Sequence, residues 1–390
     1  MKKKYLLADL STTHMTAQAN STDFPSSKRL YSLDALRGFD MFWIMGAEEI
    51  VHLIAKATGS SFWETAAFQL SHPEWHGFRM YDLIFPMFLF MAGVSTPYAL
   101  GRELEKGKTR EQLLVKVIKR GLILVILGII YNNGLEFKPL EEIRMGSVLG
   151  RIGLGYLFAN VIFLYTKKNV FQLIWFGGIL IFYYALLKFN AAPGFPMGDL
   201  TQEGNYASYL DRLCMPGRLY KGNHDPEGLT STIPAIATGL LGIITGNFLK
   251  NNAKSGREKS IYLLLSGIGL IILAQIWNLE FPINKNIWTS SFVLQAGGIS
   301  LVFLAIFYYI IDVLEYRKWA FFFKVIGMNS ILIYLSGEFI NWEFTTDRLF
   351  HWLGQLFTQP YAMVVLAICY LGIKWCFLYF FYQKKMFLSV

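Results

Sequence analysis

Charge is scarce in this sequence. Only 16% of its 390 residues are Asp, Glu, Lys or Arg, against about 25% in an ordinary soluble domain, which argues against a water-soluble enzyme. Cysteine is scarcer still. Cys214, Cys369 and Cys376 make no even set and no CxxC pair, so neither a disulfide framework nor a cysteine zinc site is expected. There is no Walker loop, GxSxG elbow, HExxH pair or haem pair, and no internal repeat or low-complexity run. The chemistries those motifs announce lose their usual signal. The opening MKKK is followed by "YLLADLSTTHMTAQANSTDFPSS", too polar to be a signal-peptide core. Residues 1–30 are expected to form a mobile cytoplasmic tail and 31–390 a single transmembrane domain.

What the chain does have is apolar length. Hydrophobic residues make up 54% and aromatics 16%, with a mean hydropathy of +0.38. They gather in runs of roughly 18 to 25 residues, the length that crosses a hydrocarbon core. The expected fold is an all-α, polytopic membrane bundle of about ten helices: 36–54, 82–100, 117–131, 147–166, 170–188, 231–249, 260–277, 286–311, 319–338 and 360–382. The net charge of +9 does not signal nucleic acid, because the basic residues lie between the apolar runs. Alternate connections (1–32, 101–120, 167–168, 250–259, 312–324 and Lys384–Lys385) hold about two thirds of the 36 Lys and Arg residues. The intervening set (55–81, 132–146, 189–230, 278–285 and 339–359) is net acidic. That alternation predicts both termini in the cytoplasm and the second set outside, in an inner (cytoplasmic) membrane.

Several polar residues stand where a bundle would not spend them for packing alone. In "SHPEWHGFRMYDLIFP", His72, Trp75 and His76 precede the second span. A histidine there suits acid–base work near neutral pH. An interfacial aromatic anchor explains the same residues, and composition alone favours the anchor. Asp82 either caps the span or orients His72 as the third member of a base triad. Asp34, Arg37 and Asp40 lie three apart and can pair along one helical face. Arg144 and Arg151 are seven apart, two turns on one face. Arg151 falls inside a span, where a charge needs a partner or a ligand. "GNHDPEGLTSTIPAIATG" sets Asp225 and Glu227 before another span, either as an ordinary helix start or as a polar binding site. "FPINKNIWTSSF" offers Asn284, Lys285, Asn286 and Trp288. Asn329 in "GMNSILIYLSGE" sits at membrane depth, where a polar group bonds between helices or lines a site.

Taken together, the blocks "LDALRGFD", "HPEWHGFRMYDLIFPMFLFMAGVS", "RMGSVLGRIGLGY", "DPEGLTSTIPAI" and "PINKNIW…GMNSILIY" resemble the transmembrane acyltransferases related to heparan-α-glucosaminide N-acetyltransferase. The resemblance implies an enzyme that moves acetyl from cytoplasmic acetyl-CoA to an amino sugar on the other side, without a metal. It implies that His72 is catalytic, either as the base for the acceptor amine or as a covalent relay for the acetyl group, with Asp82 its partner. It matches Arg144, Arg151, Asp225, Glu227, Asn284, Lys285, Asn286 and Trp288 to the family's binding blocks, with Trp75, His76 and Asn329 beside them. A homodimer in the bilayer is the implied assembly. Two departures are expected: no counterpart of the large N-terminal luminal domain of the animal enzymes, and "GAEEIVHLI" where many relatives carry a more neutral stretch. Rival expectations are a transporter of a sugar or cell-wall fragment, a structural membrane protein, and O-acetylation of a glycan.

Overall fold

The computed structural model describes residues 30–166 and 168–388, so the tail expected over 1–30 lies, but for Leu30, outside the described residues. Within them the regular structure is helical, with one isolated β-bridge between Arg144 and Gly217. The order is α1 (Tyr31–Phe42), α2 (Glu48–Thr58), α3 (Ser61–Gln69), α4 (Ile84–Glu105), α5 (Arg110–Asn133), α6 (Val148–Tyr165), α7 (Asn169–Lys188) and α8 (Tyr206–Cys214). There follow α9 (Thr232–Lys250), α10 (Gly256–Asn278), α11 (Ser290–Tyr308), α12 (Ala320–Met328), α13 (Ser330–Phe339), α14 (Trp342–Gly354) and α15 (Tyr361–Gln383).

Seven of these elements are long and apolar enough to cross a membrane, those built on α4, α6, α7, α9, α10, α11 and α15. The chain is a polytopic helical membrane protein. The pair α12 and α13, bent by 64° at Asn329, is apolar enough only when taken together, as one broken span or as a re-entrant loop. The other two expected spans are present as helices of different character. The run 36–54 is interrupted by a π turn, Trp43–Ala47, in which Gly46 has φ +127°, a backbone angle open to glycine and strained for other residues. The turn leaves the Met45 carbonyl to accept from Lys374 Nζ at 3.0 Å. The run 117–131 lies in α5, whose first half carries Arg110, Lys116, Lys119 and Arg120.

The core is set by close helix crossings. A Cβ at Gly93 of α4 would run into the Gly239 carbonyl of α9, and one at Gly242 into the Phe90 carbonyl. Small residues let backbones approach where lipid supplies no hydrophobic drive between helices. This tight α4–α9 pair holds α4 at the centre of the molecule. α7, α10 and α15 turn most of their side chains outward. The N-terminal end of α4 faces the loops 71–83, 215–231 and 279–289, which meet there.

Candidate active site

The backbone of 71–83 decides where His72 and Asp82 meet. The 3-10 turn Met80–Leu83 leads into α4, and Asp82 Oδ2 within it reaches back to accept from the Arg79 N–H at 3.0 Å. That leaves Oδ1 of the fully buried carboxylate facing back along the loop. His72 Nδ1 lies 2.6 Å from it. Asp82 thus meets the turn backbone through one oxygen and the His72 ring through the other. Arg79 also clamps the loop from the other side, donating from Nη1 to the His72 carbonyl at 2.9 Å and to Ser71 Oγ at 2.5 Å. The Tyr81 ring packs 5.0 Å from the imidazole. With Nδ1 on the carboxylate, the neutral ring carries its proton there and its lone pair on Nε2. The His72 side chain is about half exposed.

Lys285 reaches this pair from the loop before α11. Its Nζ lies 3.2 Å from His72 Nε2 and 3.6 Å from Asp82 Oδ1. Burial pushes the amine below the usual lysine range, against the opposite pull of Asp82 and Glu227. The flanking residues dock the two loops. Gly77 N–H donates to the Ile283 carbonyl at 2.8 Å, Asn284 Nδ2 lies 3.2 Å from His76 Nδ1, and Asn286 Nδ2 donates to the Trp75 carbonyl at 3.5 Å. Burial lowers the His76 pKa. Trp75 holds the long loop between α7 and α9: its indole N–H donates to Leu200 O at 2.8 Å, and its ring meets His224 edge-on at 5.0 Å. His72, Asp82 and Lys285 thus converge, while Trp75, His76, Asn284 and Asn286 build the frame around them.

The arginines divide in the same way. Arg144 grips Asp225 with two bonds of 2.9 and 2.7 Å and Glu227 with one of 2.5 Å. Burial alone would raise the Asp225 carboxyl, but the Arg144 bonds hold it below the usual carboxylate range. Its oxygens also accept from the N–H groups of Tyr220 and Glu227. Asp225 is buried and satisfied within the protein, and only Glu227 keeps an unengaged side. Arg151 is fully buried on α6 and donates to Gly228 O at 3.2 Å and to Ser231 Oγ. Its guanidinium lies 4.9 Å from the Trp288 ring and 5.9 Å from Phe85, and its Nε has no partner among the described residues. Trp288 is itself held by Thr238, at a positive φ of 50°.

Phe85 is one helical turn after Asp82 and also lines a cavity of about 550 Å³. The cavity runs between α1, α4, α5, α6 and the α12–α13 break. Its wall carries Arg37, Arg102 and Arg120 beside Tyr98 and Ser95. Arg37 Nη2 donates to Ser95 Oγ at 3.2 Å, and Arg120 stacks on Tyr156 at 4.5 Å. Asn329 is placed apart from the His72 group. Its amide holds the chain after α15, donating to Met386 O and accepting from Leu388 N–H, both at 3.0 Å.

Sequence reasoning passed over Arg79, Tyr81 and the basic cavity wall. Arg79 carries none of the Ser, Thr, Asp or Asn capping chemistry that would have singled it out, and the cavity residues come from several helices and share no motif. No group of three or more His, Cys, Asp or Glu suited to a metal ion occurs among the described residues.

The family model "Heparan-alpha-glucosaminide N-acetyltransferase, catalytic" matches residues 29–272. Among curated proteins, the chain is similar to heparan-alpha-glucosaminide N-acetyltransferase of Mus musculus, 28% identical over 374 residues, covering 82% of this chain and 56% of that protein. The Homo sapiens counterpart is 27% identical over 365 residues, with coverage of 80% and 53%. The chain therefore spans about half the length of these relatives. His72, Asp82, Arg144, Arg151, Asp225 and Glu227 lie within the family match, and the Asn284–Trp288 loop lies beyond it. On a match of that extent, the chain belongs to the heparan-alpha-glucosaminide N-acetyltransferase catalytic family.

Proposed function

We propose that the protein carries an acetyl group from cytoplasmic acetyl-CoA to the amine of an amino sugar on the extracytoplasmic side. One observation carries the reading: a hydrogen-bonded His72–Asp82 pair stands one helical turn from Phe85, a wall of a large cavity with basic residues on its opposite part. Arg102 and Arg120 suit the donor's phosphates, with Arg37 further along the wall. The cavity leads an acyl chain toward Phe85 and Arg151. As the oxyanion formed on the acetyl carbonyl collapses, the C–S bond breaks and coenzyme A leaves as its thiolate, which takes a proton from the imidazolium; the new bond to the acetyl carbon comes from the acceptor nitrogen. Its proton passes to His72 Nε2, while Asp82 holds the ring and balances the imidazolium that forms. Lys285 and the unpartnered Arg151 Nε supply positive charge for the developing oxyanion. Glu227 is the carboxylate left to meet sugar hydroxyls or the acceptor ammonium. Trp75, His76, Asn284 and Asn286 position the loops that carry His72 and Lys285.

The test is acetyl transfer by purified, detergent-solubilised protein, given labelled acetyl-CoA and glucosamine. His72→Ala should lower kcat by about 10²–10⁴-fold, while His76→Ala retains most of it. Equal loss in both variants would assign His72 to the frame. Wild-type protein that fails to bind acetyl-CoA, yet moves a sugar across vesicle membranes, would overturn the reading in favour of transport. A label released in mild base would make the product an ester instead of an amide.

A further inference from the structure

The cavity lined by Arg37, Arg102 and Arg120 also has Leu388 in its wall, beside Leu30, Met328 and Ser330. Leu388 belongs to the segment after α15, and that segment doubles back instead of running on. Lys385 lies in the left-handed region at φ 54°, the conformation glycine usually supplies at a helix end. The reversal is closed by the Met386 N–H donating to the Phe381 carbonyl at 3.0 Å and the Lys385 N–H donating to that of Tyr382 at 3.1 Å. Residues 386–388 are thereby brought against Asn329, at the bend between α12 and α13.

The hold on this segment is narrow. Asn329 is 1% exposed, and its amide uses both ends here, one on the Met386 carbonyl and one on the Leu388 N–H, each at 3.0 Å. The segment's own side chains add little, since Met386, Phe387 and Leu388 stay 54%, 37% and 42% exposed. A stretch with so little buried apolar surface opens locally at low cost. The two Asn329 bonds are therefore its latch. α1 begins at Tyr31, α4 ends at Glu105 and α15 ends at Gln383, so Leu30, Arg102 and Leu388 mark one end of the cavity. Leu388 is in the wall and partly open to the outside, which is the position of a rim.

We infer that residues 386–388 are a strap across this end of the cavity, latched by Asn329, which must lift for a ligand to enter or leave. Naming acetyl-CoA as that ligand rests on the proposed acetyl transfer; the strap itself rests on the latch and the cavity wall. The test places a reporter inside the cavity of the full-length protein, Ala92→Cys, with Cys214, Cys369 and Cys376 replaced by Ser. The rate at which a charged, water-soluble methanethiosulfonate modifies it is compared with and without Asn329→Ala and Leu388→Pro. The first substitution removes both latch bonds. The second removes one donor and touches no helix, so it decides the matter if Asn329→Ala fails to fold. Losing one such bond should raise the open population, and with it the labelling rate, by about fivefold, and losing both should raise it further. Association and dissociation rates of CoA, read by stopped flow without the reporter, should rise together in both variants, as they do when a gate is loosened. An unchanged labelling rate in Leu388→Pro would overturn the strap, whatever the ligand. Faster labelling with unchanged CoA rates would route the donor elsewhere and overturn the strap's role. Faster labelling in a protein whose wild type binds no CoA would keep the strap and sink the donor reading.

Discussion

At the scale of single residues, the types were legible and the partnerships were not. A His and an Asp ten apart say nothing about contact. What joins them is the Arg79 N–H, which fixes one Asp82 oxygen on backbone while the other meets His72. Asp82→Asn preserves an oxygen for the cap and removes the charge behind the imidazole. It should leave the thermal midpoint within a few degrees of wild type and lower kcat by about 10²-fold or more. A large drop in the midpoint with kcat intact would return Asp82 to capping alone. The Asp225 and Glu227 pair was legible as acidic, but Arg144, far away in the sequence, consumes most of its capacity. His224, between Asn223 and Asp225, drew notice only as part of a polar cluster. The fold buries it on Ser208, and burial lowers its pKa from 6.5 to about 4. A histidine kept neutral in the fold costs stability wherever the unfolded chain would be protonated. The loss therefore begins as pH falls through 6.5 and is complete below 4, amounting to about 2 kcal/mol by pH 5. The thermal midpoint should fall between pH 7 and 5, and less steeply in His224→Gln. Parallel slopes for the two proteins would contradict this.

At the scale of elements, long apolar runs predict helices well because length and hydropathy are local properties. Breaks inside the runs are not local. The π turn at Trp43–Ala47 depends on Gly46 and on Lys374 from α15. The bend at Asn329 depends on a side chain that ties down the segment after α15. That tie explains an asparagine at membrane depth without assigning it to substrate. Helix pairing was equally hidden, since glycines are frequent throughout and only some face a backbone. Gly242 faces the Phe90 carbonyl across the α4–α9 crossing, whereas Gly177 on α7 has nothing within 4 Å of a Cβ. Gly242→Ala should destabilise by about 1–3 kcal/mol through forced separation of the helices. Gly177→Ala should be neutral or stabilise by up to about 1 kcal/mol through helix propensity. Denaturation midpoints of the two variants in one detergent decide the matter. A loss for Gly177→Ala as large as for Gly242→Ala would show that propensity and lipid contact outweigh the crossing.

At the scale of the whole molecule, the alternation of basic and acidic connections is a stronger witness than any single run. The apolar helices alone number seven, or eight with the α12–α13 pair. The ten crossings expected from charge alternation would need α5 and the interrupted α1–α2 path as well, and neither meets the length-and-hydropathy test among the described residues. α5 is the critical case, because Lys116, Lys119 and Arg120 weaken its apolar character. From Lys108, in the turn before α5, to Cys214, at the end of α8, the chain passes through α5, α6 and α7. Three crossings put these two positions on opposite faces, and two put them on the same face. Cys214 is exposed, so a membrane-impermeant maleimide can report its side directly. In intact cells stripped of any outer barrier, Cys214 should be labelled without permeabilisation. Lys108→Cys, introduced together with Cys214→Ser, should be labelled only after the membrane is opened. Labelling of both from outside would remove α5 from the set of spans. Labelling of Lys108→Cys alone would invert the whole protein and put the His72 group in the cytoplasm. The expected result leaves the basic wall and the imidazole on opposite faces, the arrangement that transfer across a membrane requires.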